Sequence, residues 1–172
     1  MNIIGEKVLL RAIEISDKET LLNIINDSET ENSLGGWSFP ISNFNQEEWI
    51  KTQKSNTGIL RCMIDDKKDK QILGTAILSE IDYKNGNAEI HIKLTGDVRG
   101  KGYGADTINT LVSYAFNELR LKCVYAHINA YNTASQKLFE KCNFVMEGVL
   151  RNRIFKKGKY HDVLILSIIN EG

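Results

Sequence analysis

The chain is poor in several things, and each shortage excludes a class of protein. It has one proline in 172 residues, which leaves no room for a polyproline arm or a string of domains joined by stiff linkers. Its three cysteines, Cys62, Cys123 and Cys142, are odd in number and form no C-x-x-C pair, so a disulfide scaffold or thiolate zinc site is not expected. Three histidines without metal-ligand spacing add no metal centre. Net charge is absent too: 22 Lys plus Arg balance 22 Asp plus Glu, so no global field draws the chain to nucleic acid or an anionic membrane. No apolar run approaches the ~18 residues of a membrane span, and the opening MNIIGEKVLLR is too short in apolar residues for a signal peptide. One domain over residues 1–172 and a cytoplasmic address are expected. At 42% hydrophobic residues the chain can bury a full core without a staple.

What is present reads as strands and helices in alternation. Residues 7–12 are short, apolar and bounded by Gly5, which predicts a first strand, and Ser16 with Glu19 forms a capping box before a helix whose stripe is Leu21, Leu22, Ile24 and Ile25. Residues 27–45 turn polar around Gly35, Gly36 and Pro40 and read as a loop carrying Trp37, Phe39 and Phe44, with a short helix at about 46–54. Strands are predicted at 59–65 and 71–81 across the charged turn DDKKDK, and at 88–95, where Ile90, Ile92 and Leu94 alternate with Glu89, His91 and Lys93. Ala105, Ile108, Leu111, Val112, Ala115, Phe116 and Leu119 recur at helical spacing. A strand at 122–128, a helix at 132–142 and a terminal hairpin of 144–150 with 162–169 complete an α/β or α+β sheet. It is antiparallel at both ends and has a strand-helix-strand crossover in its middle.

Between the alternating strand and the strongest helix stand Arg99, Gly100, Lys101, Gly102, Tyr103 and Gly104. Three alternate glycines let backbone amides approach a ligand closely, and the helix start adds unpaired N–H groups and the positive end of its dipole. An anionic phosphate is the natural guest, with Arg99 and Lys101 at the mouth; the alternative is a plain tight turn. No G-K-[ST] completes a Walker loop, and no acid ends the following strand as a dinucleotide fold would require.

The run R-G-K-G-Y-G resembles the Q/R-x-x-G-x-G/A signature of the Gcn5-related N-acetyltransferases (GNAT), and N-T-A-S-Q-K-L-F-E-K-C-N-F at 132–144 resembles that family's second signature helix. Without the family, Asn132 is still a good N-cap and Asn143 a residue that tolerates a left-handed helix end. The endings E-G-V-L-R and G-K-Y-H-D-V resemble RimJ/RimL-type ribosomal-protein N-terminal acetyltransferases, and polyamine acetyltransferases share much of that tail. The resemblance implies a mixed, mostly antiparallel sheet of about seven strands flanked by about four helices. It implies acetyl-CoA as cosubstrate, without metal, and transfer of its acetyl group to a primary amine: a protein α-amine, or a small-molecule amine such as spermidine. Neither nucleic acid nor membrane is an expected partner; a homodimer is the candidate assembly, with the oligomeric state left open.

The implied site follows residue by residue. Leu94, Arg99, Gly100, Lys101, Gly102, Tyr103, Gly104, Asn132 and Ser135 would hold the coenzyme, with oxyanion donors among the amides near Lys93 and Leu94, where the sheet is expected to splay. Glu89 is the candidate base, directly or through water, with His91 on its face and Tyr125, His127 and Asn129 on the facing strand; the alternative is a wet sheet face. Many members carry a tyrosine as proton donor where this sequence has Phe139, so Ser135 is the candidate acid, Tyr131 the second choice, and no acid a third. Glu31, Trp37, Phe39, His91 and His127 are candidate acceptor contacts; the alternative for the acids and the aromatics of 27–45 is a helix end and a satellite core. The cysteines read as core. A non-catalytic acyl-CoA-binding module is the competing class, its argument being the missing tyrosine.

Overall fold

The computed structural model describes residues 1–34, 39–53 and 58–172. In chain order the described elements are β1 (Ile3–Ile4), β2 (Val8–Arg11), α1 (Lys18–Asn26), α2 (Ser28–Leu34), α3 (Asn43–Lys51), β3 (Leu60–Asp66), β4 (Ile72–Asp82), β5 (Asn87–Leu94), α4 (Tyr103–Asn117), β6 (Cys123–Asn129), α5 (Thr133–Lys141), β7 (Val145–Lys156) and β8 (Lys159–Ile169). The strands form one sheet in the order β1-β2-β3-β4-β5-β6-β8-β7. Every neighbouring pair is antiparallel except β5 with β6, which α4 joins as a crossover. The expected mixed, mostly antiparallel sheet is therefore present, with eight strands and five helices among the described residues.

Alternation builds the core. Ala88 and Ile90 of β5 and Val124, Ala126 and Ile128 of β6 are buried with Ile108, Leu111 and Ala115 of α4. On the other face a smaller cluster joins Leu21 of α1, Ile50 of α3 and Met63 of β3. The odd-numbered residues of β5 face this second, less filled side. Asn143 ends α5 with φ of +66°, the left-handed stop its residue type suggested.

Several local readings are corrected. Ser16 does not cap α1: it lies inside a 3₁₀ turn, Ile15–Asp17, and the Asp17 carboxylate takes the Glu14 N–H at 2.7 Å. Arg11 fixes that turn to the sheet, reaching Asp17 Oδ2 at 2.8 Å and Asp65 Oδ2 at 2.6 Å. The segment 27–45 is not all loop. Residues 28–34 form α2, whose start is capped by Asp27 accepting the Thr30 N–H at 2.7 Å. Helix α3 begins at Asn43 because Ser42 accepts from Asn45 N–H. The terminal hairpin runs further toward its turn than the apolar pattern suggested, to Lys156 and Lys159. Trp37, a candidate acceptor contact, lies outside the described residues.

Candidate active site

The parallel pairing of β5 with β6 covers only Asn87 with Cys123, Ala88 with Val124 and Glu89 with Tyr125. Beyond Glu89 the two strands diverge. On its other edge β5 stays paired to β4 through Leu94, and Thr95 N–H donates to the Leu73 carbonyl at 2.9 Å. Strand alternation then turns the amides of Ile92 and Leu94 into the gap, and that of Lys93 toward β4. The expected splay is present, with Ile92 rather than Lys93 beside Leu94 as a source of free donors. These are strand-edge N–H groups held rigidly, the kind of donor that can bind an extended amide chain or a developing oxyanion.

The glycine loop sits at the open end of this gap. Gly100 and Gly102 adopt φ of +77° and +85°, conformations that side chains rarely take. At Gly100 an added Cβ would meet nothing within 4 Å, so its backbone is open to a ligand. Gly104 differs: its Cβ position lies 3.0 Å from Leu138 and 3.4 Å from Leu94. It is therefore a packing glycine that lets α4 approach α5 and β5. The Tyr103 hydroxyl donates to Asp66, a bond that draws the Asp66 carboxyl down and pushes the phenol up, so this side chain is committed away from the loop mouth. Lys7 Nζ donates to the Lys101 carbonyl at 3.2 Å, tying the loop to β2's entry. Arg99 reaches across to α2, 3.6 Å from Glu29 Oε1 and 3.5 Å from Thr30 Oγ1. Open amides at Gly100 to Gly102, the helix start and the strand-edge donors of Ile92 and Leu94 fit a diphosphate followed by a pantetheine arm.

Glu89 is the centre of a polar cluster on the opposite face of the sheet from α4. Its carboxylate lies 2.7 Å from His127 Nδ1 and 3.7 Å from His91 Nε2, and its side chain is 15% exposed. His91 Nε2 also meets Ser79 Oγ at 2.9 Å, and Tyr125 packs edge-on against His127. Burial holds the His91 imidazole below its ordinary value; Glu89 opposes this and Lys93 and His127 reinforce it. His91 is then neutral at pH 7. A half-buried carboxylate flanked by one neutral imidazole and one hydrogen-bonded imidazole can take a proton from an ammonium beside the splay. The structure thus joins Glu89, His91 and His127.

The remaining candidates are dispersed. Glu31 is not open to a cation, because Lys156 already binds its carboxylate. Phe39 is 68% exposed. Asn132 caps α5, accepting Ser135 N–H at 3.1 Å, and its amide donates to the Ser33 carbonyl of α2. Tyr131 donates to the Asn32 carbonyl, which commits its hydroxyl to α2. Among the described residues no hydrogen bond involves Ser135 Oγ, whereas Phe139 is buried edge-on against Phe144 at 4.9 Å. Of the two candidate acids, Ser135 alone has an uncommitted hydroxyl. Ser135→Ala should therefore lower kcat by roughly tenfold with little change in Tm; an unchanged kcat would remove Ser135 from the chemistry.

Cys62 and Cys142 are buried, and burial pushes the Cys62 thiol up to about 11, so neither is an activated nucleophile. Among the described residues no group of His, Cys, Asp and Glu could hold a metal ion, and no helix is long and apolar enough to cross a membrane. Sequence reasoning missed Thr75, which pairs with Lys93, and Arg61, in the neighbouring His91 row; both line one cavity with Lys93. The alternation of β5 already placed Lys93 on the Glu89 face, but its cross-strand neighbours emerge only from the register.

A parallel splay fed by a glycine-loop helix, with a carboxylate at the fork, defines an acyl-CoA-dependent transferase. Comparison with known proteins narrows the class. The model of the acetyltransferase (GNAT) domain matches residues 7–145, and the chain belongs to that family: it is an N-acetyltransferase that uses acetyl-CoA. It is 29% identical over 166 residues to spermidine N(1)-acetyltransferase of Vibrio cholerae, covering 96% of this chain and 94% of that protein. A putative ribosomal N-acetyltransferase of Bacillus subtilis is 26% identical over 175 residues, covering 96% and 93%. The crystal structure of the Vibrio cholerae spermidine N-acetyltransferase in complex with CoA and spermine superposes with a TM-score of 0.88, at 28% identity and 96% coverage of both chains.

Proposed function

We propose that the chain acetylates a small-molecule primary amine by direct attack of the amine on the thioester, with Glu89 as the proton acceptor. The observation that carries this reading is the position of Glu89 at the last paired residue before β5 and β6 separate. An amine held there lies beside the base, and the strand-edge donors of Ile92 and Leu94 follow further along the same edge of β5. The glycine loop and the gap would bind acetyl-CoA, which supplies the acyl group. Ile92 and Leu94 amides would stabilise the oxyanion, and Ser135 is the group proposed to return a proton to the sulfur.

A protein α-amine of the RimJ/RimL type is the second reading, favoured by the tail residues 147–151 and 158–163 and by the similarity to the Bacillus subtilis protein. Spermidine is the third, since similar proteins carry it in their names. A cavity of about 290 Å³ bordered by Lys93 and Ile77, on the sheet face that carries Glu89, suits one small molecule, at the lower end of the size usual for ligand sites, and favours the first reading. Residues 1–172 are read as one acetyltransferase domain, because β8, beyond the matched segment, pairs along β6. A cytoplasmic location agrees with three unpaired cysteines. A homodimer would use the free edge of β7, where Val145, Val149 and Phe155 are exposed; a monomer mass by light scattering would exclude it.

Thiol release from acetyl-CoA over a panel of amines tests the function. Release that depends on the amine is expected. Release equal with and without every amine would contradict it.

A further inference from the structure

On the sheet face that carries Glu89, a cavity is walled by apolar residues of α1, α3 and the sheet, among them Leu21, Trp49 and Ile77, the last paired with His91. Among the described residues two cations border it, Arg61 and Lys93, and no carboxylate does. Arg61 stacks over the Trp49 ring at 5.7 Å, and its only hydrogen bond among the described residues is to Gln53 Oε1 at 3.2 Å. Lys93 Nζ makes no hydrogen bond or ion pair among the described residues. Glu31, whose field reaches Lys93, is itself bound by Lys156. Burial holds both cations below their ordinary values, which is the cost of keeping charge in an apolar wall without a counter-charge. Such a site is complementary to one anion.

The register relates this anion site to the base. Lys93 pairs with Thr75, His91 with Ile77, and Glu89 with Ser79; Ile77 in turn pairs with Arg61. Paired side chains share a face, so these residues form consecutive rows. Lys93 stands one row, about 6.6 Å, beyond His91, and two rows, about 13 Å, beyond Glu89. A long lysine side chain can span much of one such row, so a small molecule lying over the His91–Ile77 row would meet the ammonium of Lys93 at one end and the carboxylate of Glu89 at the other.

The geometry points to an acceptor that is a free amino acid with an apolar side chain, its amine toward Glu89, its carboxylate toward Lys93 and Arg61, and its apolar chain in the cavity. This rests on the amine-transfer reading above and deepens it. A polyamine carries further cations into a wall that already holds two, with no free acid among its described residues to receive them. In the reaction the thioester C–S bond breaks and an N–C amide bond forms. Of the two protons the ammonium loses, one goes to Glu89 and the other ends on the coenzyme sulfur, so atoms and charge balance without an oxidant or metal.

The test compares kcat/KM for leucine, methionine and phenylalanine, each against its carboxamide and against spermidine, with rates corrected for the unprotonated fraction of each amine. At least one acid is expected to exceed its carboxamide by about tenfold or more, the usual size of one charge-assisted contact, mainly through KM, with spermidine lowest. Lys93→Met should bring the acid-to-amide ratio toward one, and Arg61→Met should reduce it; Lys93→Gln serves if the methionine variant does not fold. Carboxamides or spermidine preferred by the wild type, or a ratio untouched in the lysine variants, would overturn the carboxylate site while leaving amine acetylation standing. Acetyl-CoA binding without thiol release for any amine would overturn both.

Discussion

Glu89→Gln should lower kcat/KM by roughly 10- to 1,000-fold at neutral pH, with acetyl-CoA affinity little changed, the range for losing a general base or its water-positioning group. The glutamine can still accept the hydrogen bond that His127 makes to Glu89 at 2.7 Å, so the cluster should keep its shape and only the proton acceptor is lost. The pH profile separates this from structural damage. In the wild type the rate should climb with pH as the acceptor amine loses its proton. His91 does not supply a compensating charge at pH 7, because its pKa is lowered by burial and protonation is pushed to lower pH. A variant that matches the wild-type rate and profile would reduce Glu89 to a polar strand residue.

Gly102→Val should weaken acetyl-CoA binding by roughly 100-fold, the equivalent of losing two charge-assisted hydrogen bonds at about 1.5 kcal/mol each. The residue has φ of +85°, and its Cβ position lies 3.0 Å from Lys7 Nζ, the far end of a flexible side chain. Valine there disturbs the loop's amides more than the core. Gly104→Val has a different expected outcome, although it lies two residues on. Its side chain would press on Leu138 and Leu94, costing about 1–3 kcal/mol of stability by overpacking. Melting temperatures measured without ligand, beside coenzyme titrations, should show Gly104→Val melting lower and Gly102→Val binding worse. Equal coenzyme affinity in wild type and Gly102→Val would place the diphosphate elsewhere.

Where hydrophobic periodicity carried the information, the sequence was readable. The strict alternation of β5 put Glu89, His91 and Lys93 on one face, and the helical spacing of α4 put the glycine loop at a helix start. Helix α2 was invisible for the converse reason. Ser28–Leu34 offers no apolar stripe, and it is held instead by the Asp27 cap and by polar bonds to β6 and Lys156 from far along the chain. Those same bonds explain why Glu31 and Tyr131, reasonable candidates on residue type, are already occupied. The cavity was illegible because its two cations come from strands separated by β4, and only the register of β3, β4 and β5 brings them to one wall.

The central claim, acetyl transfer from acetyl-CoA to an amine at the fork of β5 and β6, is tested most directly by the mass of the acceptor after reaction. One acetyl group on the acceptor nitrogen for each thiol released, lost together in Glu89→Gln, is the result expected. Thiol release without any acetylated amine would contradict it.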